Sequence, residues 1–173
     1  FMAPALGVIR LAGYLNKKGH YAESFEPNLP MLTNEGPFLE EILKSRKWDI
    51  IGFSILEETF VHDIKNMQLA EKICPEAIFV AGGIEAQFNY QNVLDKTDFV
   101  VGTFSKSLGT IGGFCVSKHP QLGLFKYSSR PYIFTASPSP AVIASTRSAI
   151  ELMKKGDHLR ENAWKSARNL HKT

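Results

Sequence analysis

A three-layer α/β sandwich, built on a mostly parallel sheet with one antiparallel edge strand, is the fold class this sequence predicts. Three observations carry the prediction. Helical and strand-like periods alternate from residue 6 to residue 101. The apolar runs at residues 49–55 and 77–81 hold too few polar residues for a strand with one wet face, so they read as strands buried on both faces. After Lys106 the rhythm changes. Residues 113–117 follow the strand at 98–102 without a full crossover helix, which places them antiparallel at a sheet edge.

The elements follow in order. Leu6, Ile9, Ala12 and Leu15 recur every three residues, and Gly19 stops this first helix. Residues 21–26 read as a short strand closed by Pro27-Asn28-Leu29-Pro30. Pro37 opens a second helix with Phe38, Leu39, Ile42 and Leu43 on its apolar face. Strand 49–55 comes next. A third helix then carries Phe60, Ile64, Met67, Ala70 and Cys74 and has to stop before Pro75. Strand 77–82 runs into Gly82-Gly83, and a short helix from Tyr90 to Leu94 leads to strand 98–102. Residues 130–136 read as another extended segment, and residues 132–136 or a partner chain are expected to help cover the open sheet edge. Ser139 as cap and Pro140 at the first position predict a long helix to about Lys155. Gly156 ends that helix, and Asp157 caps a last basic one bearing Leu159, Ala163, Ala167 and Leu170.

Composition narrows the function classes. A chain of 173 residues fits one domain with a real core, here expected to be residues 1–173 as a single unit. No stretch is apolar for the roughly 18 residues that a membrane span needs, and the start carries no secretory signal, so a cytoplasmic location is expected. Met at position 2 rather than 1 suggests a trimmed start. Cys74 and Cys115 form no close-spaced pair and read as reduced, buried thiols. The five histidines show no metal-ligand spacing, so no metal is expected. The net charge of +3 gathers at the end of the chain without an aromatic stacking platform, which argues against a nucleic-acid partner. Glu57 and Glu58 sit where the third helix begins, a placement the helix dipole favours without any catalytic role.

The segment Gly102-Thr103-Phe104-Ser105-Lys106-Ser107-Leu108-Gly109-Thr110-Ile111-Gly112-Gly113 carries the chemistry. One lysine stands among small residues directly after a strand. That pattern suits an amine that forms an imine with a cofactor aldehyde, with backbone N–H groups and hydroxyls closing on a phosphate. Ser54, Gly82 and Gly83 stand at the carboxyl ends of two strands, the usual place of a ligand crevice in a parallel sheet.

Two resemblances follow from these motifs. Residues 1–101, through Pro4 to Leu15, Gly19-His20, Asp49 to Ser54, Ala81 to Ala86 and Asp98 to Val101, resemble the cobalamin-binding domain at the front of B12-dependent radical-SAM enzymes. That resemblance implies a flavodoxin-like, Rossmann-like fold whose Ser54, Gly82 and Gly83 line the cobalamin edge. It also implies a first strand ahead of Phe1, and a Gly-Glu-Gly-Glu where this chain has Gly102-Thr103-Phe104-Ser105. Residues 102–173, through Thr103 to Gly113 and Ser128 to Ser137, resemble the pyridoxal-phosphate-dependent α-oxoamine synthases, the group of serine palmitoyltransferase and aminoketobutyrate ligase. By that resemblance Lys106 holds pyridoxal phosphate as an aldimine, with Thr103 and Ser105 at the cofactor. The family's Asp-Glu-Ala-His stretch does not precede Lys106 in this chain.

The two likenesses meet in the strand Asp98-Phe99-Val100-Val101, which suggests a chimera joined at structurally equivalent positions. The expected function is an engineered-looking fold chimera with no complete active site and residual cofactor binding at most. The alternatives are a pyridoxal-phosphate acyltransferase fragment and a cobalamin-binding module. Catalysis by the isolated chain is not expected, and an exposed sheet edge would allow a homodimer.

Overall fold

The computed structural model describes residues 6–33, 36–56, 59–83 and 93–170. Its sheet has four strands in the order β1-β2-β3-β4: β1 Ile50–Ser54, β2 Ile78–Gly82, β3 Phe99–Thr103 and β4 Gly113–Ser117. The first two junctions are parallel, with Ile50 opposite Ile78, Ser54 opposite Gly82, and Ala81 opposite Val100. β4 runs antiparallel to β3. Ser117 meets Asp98 at one end, and Phe104 and Gly112 share a backbone hydrogen bond at the other. The α/β class and the antiparallel edge strand therefore hold.

Two compact units divide the chain. The first comprises Phe1–Gly102 and Cys115–Leu122, the second Thr103–Phe114 and Gly123–Thr173. In the first unit, α1 (Leu6–Lys17) ends as the sequence predicts. Gly19 takes φ +86, so that its N–H reaches Asn16 and that of His20 reaches Leu15, a left-handed closure that glycine accepts without strain. α2 (Asn28–Thr33) and α3 (Leu39–Lys44) follow. The start of α3 is fixed by the Glu41 carboxylate, which accepts from the Phe38 N–H at 2.9 Å. α4 (Phe60–Ile73) buries Met67 and Ala70 and stops at Cys74, where Pro75 removes the next donor.

The core of this unit lies on one face of the sheet. Leu43, Ala70, Ala77 and Phe79 are buried together, with Leu39, Ile51, Phe53, Leu69 and Ile73 packed around them. The Phe53 and Phe79 rings stack at 6.2 Å. On the opposite face β1 is open, with Ile50 62 % exposed, whereas Phe99 of β3 is buried there. β1 thus alternates between faces rather than being buried on both, because α3 and α4 cover one side only and β1 lies at an edge.

Two further expectations fail. Residues 21–26 form no strand. Asn16 takes the backbone of Ala22 instead, its Oδ1 accepting from the Ala22 N–H at 3.0 Å and its Nδ2 donating to the Ala22 carbonyl. Residues 130–136 add no strand either, since Arg130–Ile133 is a helical turn. The predicted helix at Tyr90 to Leu94 is described only at Val93 and Leu94, both helical.

In the second unit a 3-10 turn at Pro120–Leu124, begun in the first, leads to α5 (Phe125–Ser128), α6 (Arg130–Ile133), α7 (Pro140–Lys154) and α8 (Asp157–Leu170). The cap of α7 is the predicted one: Ser139 accepts from the Val142 N–H, and Pro140 occupies the first turn. Among the described residues no helix is long and apolar enough to cross a membrane.

Phe79 is the largest side chain of the buried cluster, so Phe79→Ala should cost about 3–5 kcal/mol. Urea unfolding followed by circular dichroism checks this, with Ile50→Ala on the open face expected to stay within about 1 kcal/mol of the parent.

Candidate functional site

The lysine loop is a closed turn. The Gly109 N–H bonds back to the Lys106 carbonyl at 3.0 Å, and the Thr110 N–H to the Phe104 carbonyl at 3.0 Å. Inside it, Thr103 Oγ1 donates to the Gly112 carbonyl at 3.1 Å and accepts from the Ser105 N–H at 3.2 Å. Ser105 Oγ lies 2.8 Å from the same Thr103 oxygen. A hydroxyl has one proton. With the Thr103 proton on Gly112, the Ser105 proton falls to Thr103, so both side-chain donors are used within the loop. Thr103, Ser105 and Lys106 are thus brought together, with Lys106 exposed. As folded, each hydroxyl would have to leave its loop partner to donate to a phosphate, while the Lys106 side chain is exposed.

What holds this loop escaped the sequence reading. Thr146 of α7 is the buried polar residue among the described residues of the unit; its hydroxyl approaches Thr110 Oγ1 at 3.4 Å and donates to the Val142 carbonyl at 2.8 Å. Phe104 and Phe114 close the base of the loop with ring centroids 5.4 Å apart. No local signature links Thr110 to Thr146, since they stand 36 residues apart.

Ser54, Gly82 and Gly83 belong to the first unit and are described apart from the lysine loop. Ser54 is exposed and faces Gly82 across the parallel ladder. A Cβ on Gly82 would meet only the Val101 carbonyl, at an ordinary 3.7 Å. Gly83 differs. Its φ is +102, and a Cβ there would stand 2.3 Å from the Ile55 carbonyl oxygen. The Ile55 N–H also bonds to the Gly82 carbonyl at 2.8 Å. The chain itself fills the space beside Gly83, so backbone packing by itself requires a glycine here. Glu57, Glu58 and residues 84–86 lie outside the described residues.

Beyond the end of β1, Asp63 is half-buried near the start of α4 and accepts from Thr59 Oγ1 at 2.7 Å. Burial raises its carboxyl above the ordinary value, and Glu26 adds to this. Thr59, the backbone of Leu56 and His62 act in the other direction. A raised carboxyl binds its proton more tightly in the folded state, so stability falls as pH rises through the ordinary range toward the raised value. Among the described residues no three His, Cys, Asp or Glu side chains converge to hold a metal ion.

Two measurements check this geometry. Gly83→Ala should destabilise by about 2 kcal/mol or more, through both clash and positive φ, while Gly82→Ala stays within about 1 kcal/mol, by denaturant unfolding. Asp63→Asn, which keeps an acceptor for Thr59, should flatten the loss of stability that sets in as pH rises above the ordinary carboxylate range.

Comparison with known proteins places both regions. Residues 1–120 match the B12 binding domain, and residues 77–173 match aminotransferase class I and II. Serine palmitoyltransferase of Sphingomonas paucimobilis is 45% identical over 94 residues, 54% of this chain and 20% of that protein. The 2-amino-3-ketobutyrate coenzyme A ligase of Escherichia coli K12 is 31% identical over 91 residues, 52% of this chain and 23% of that protein. The chain therefore spans about a fifth of the length of these relatives. A solved serine palmitoyltransferase with its pyridoxal-phosphate internal aldimine superposes with a TM-score of 0.63 at 29% identity, over 77% of this chain and 37% of that one. The Sphingomonas wittichii serine palmitoyltransferase gives 0.64 at 29% identity, over 78% of this chain and 37% of that one. The chain belongs to two families, the B12-binding domains through residues 1–120 and the class I and II aminotransferases through residues 77–173, and strands β2 to β4 are claimed by both.

Proposed function

We propose that this chain is a fold chimera in which the lysine loop of a pyridoxal-phosphate enzyme serves as a structural turn, with residual cofactor capture and no catalytic cycle. The observation that carries the reading is the shared claim of both families on residues 77–120. One sheet answers to two ancestries, and the ligand chemistry of each is represented by part of its residues. The state of the loop supports the same reading, since the Thr103 and Ser105 hydroxyls are bonded inward. Pyridoxal phosphate supplies an aldehyde and an electron-withdrawing ring, and the protein must hold the phosphate and pair the ring nitrogen to use them. Here Lys106 offers an exposed amine, and the two hydroxyls beside it hold the turn closed.

Incubation with pyridoxal phosphate, borohydride reduction and peptide mapping test this. Label should spread over exposed lysines, with Lys106→Ala lowering the total by no more than one site's share. A saturable imine absorbance lost in Lys106→Ala, or turnover of L-serine with palmitoyl coenzyme A, would overturn the reading.

A second reading, a cobalamin-binding module, is favoured by the exposed Ser54 and the half-buried Gly82 at adjoining strand ends. Hydroxocobalamin titration distinguishes it: a saturable change in the visible spectrum that Ser54→Leu abolishes supports the module, and an unchanged spectrum removes it.

A further inference from the structure

At the end of the sheet where the chain enters β1 and β2, opposite to Ser54 and Gly82, lies a cavity of about 300 Å³. The turn before β1 contributes Arg46, Lys47 and Trp48, and the turn before β2 contributes Cys74, Pro75 and Glu76. The volume is at the lower end of the range for small-molecule sites.

The chemistry of the wall is specific. Arg46 and Lys47 are exposed, and neither forms an ion pair among the described residues. The Arg46 guanidinium carbon sits 3.6 Å from the Tyr21 ring centroid and 5.6 Å from that of Trp48. Stacking occupies the face of a guanidinium and leaves the N–H groups of its edge for a ligand. Trp48 Nε1 donates to the Ile42 carbonyl at 3.1 Å, which holds the indole in one half-buried orientation. Two cations beside a fixed aromatic ring select charge and shape together, and Glu76 is the one carboxylate in the wall.

We propose that this cavity is a binding site for a small planar organic anion, an aromatic carboxylate in its simplest form. The carboxylate lies between the Arg46 edge and the Lys47 ammonium, and the ring packs against Trp48 and Pro75. Glu76 in the wall repels added negative charge, so a monoanion is favoured over a dianion. The site shares no residue with the lysine loop or with Ser54, Gly82 and Gly83, so its test is independent of cofactor capture.

The chain has two tryptophans, Trp48 and Trp164, so the two indole N–H resonances give a probe and an internal reference. Benzoate should shift the Trp48 resonance saturably, with a Kd on the order of a few millimolar, and leave Trp164 in place. Benzamide, which keeps the ring, and acetate, which keeps the charge, should each bind at least about fivefold more weakly. R46Q and K47Q should each weaken benzoate at least about threefold. K47Q does so without touching the Tyr21 stack, which separates loss of the site from local rearrangement. Equal binding of benzamide and benzoate, or undiminished benzoate binding by both variants, would overturn the proposal.

Discussion

The sheet depends on one aspartate. Asp98 stands just before β3, and its carboxylate accepts the Phe79 N–H at 2.8 Å while its own N–H donates to the Phe79 carbonyl at 2.9 Å. Its carbonyl accepts from Ser117 Oγ on β4, and Ser117 Oγ in turn accepts from the His119 N–H at 2.8 Å. Three strands are tied at one residue. A parallel ladder fixes register only through slanted bonds of similar strength along its length, so an end clamp of this kind decides where pairing begins. With the register set, Phe79 and Ala81 fall on the buried face, and the core with α3 and α4 can form.

The elements legible in the sequence are those whose signals are local. The apolar spacing of α4, the Ser139-Pro140 entry to α7 and the Gly19 closure of α1 each lie within a few residues of what they determine. Residues 21–26 misled because a short run bounded by turn residues describes a willing strand but not an available partner, and the Asn16 side chain takes the backbone first. β1 misled for a related reason: an apolar run records what a strand tolerates, whereas burial depends on which helices arrive. In the lysine loop the motif was plain. The direction of each hydroxyl proton was not, because it follows from a fold-back onto Gly112 and an anchor at Thr146 far along the chain.

Two family signatures can coexist on β2, β3 and β4 because the demands that a sheet places on its strands are generic. Phe79, Ala81, Phe99 and Val100 satisfy burial whichever loops follow. The differences between the families reside in the loops at the strand ends, where Gly83 is held by Ile55 and the Lys106 turn by its own hydroxyls. Superposition on serine palmitoyltransferase reaches 77% of the chain, more than the residues of the aminotransferase match, so shared strand geometry extends beyond shared sequence.

The clamp at Asp98 also gives β2 two different neighbours at successive amides. The Ile78 N–H is bonded to the Asp49 carbonyl at the mouth of β1, and the Phe79 N–H to the Asp98 carboxylate at the mouth of β3. Deuterium uptake at Ile78 therefore times the parting of β1 from β2, and uptake at Phe79 times the parting of β2 from β3. Adjacent protons on one strand become separate clocks for its two seams, and they show which side of the sheet opens first.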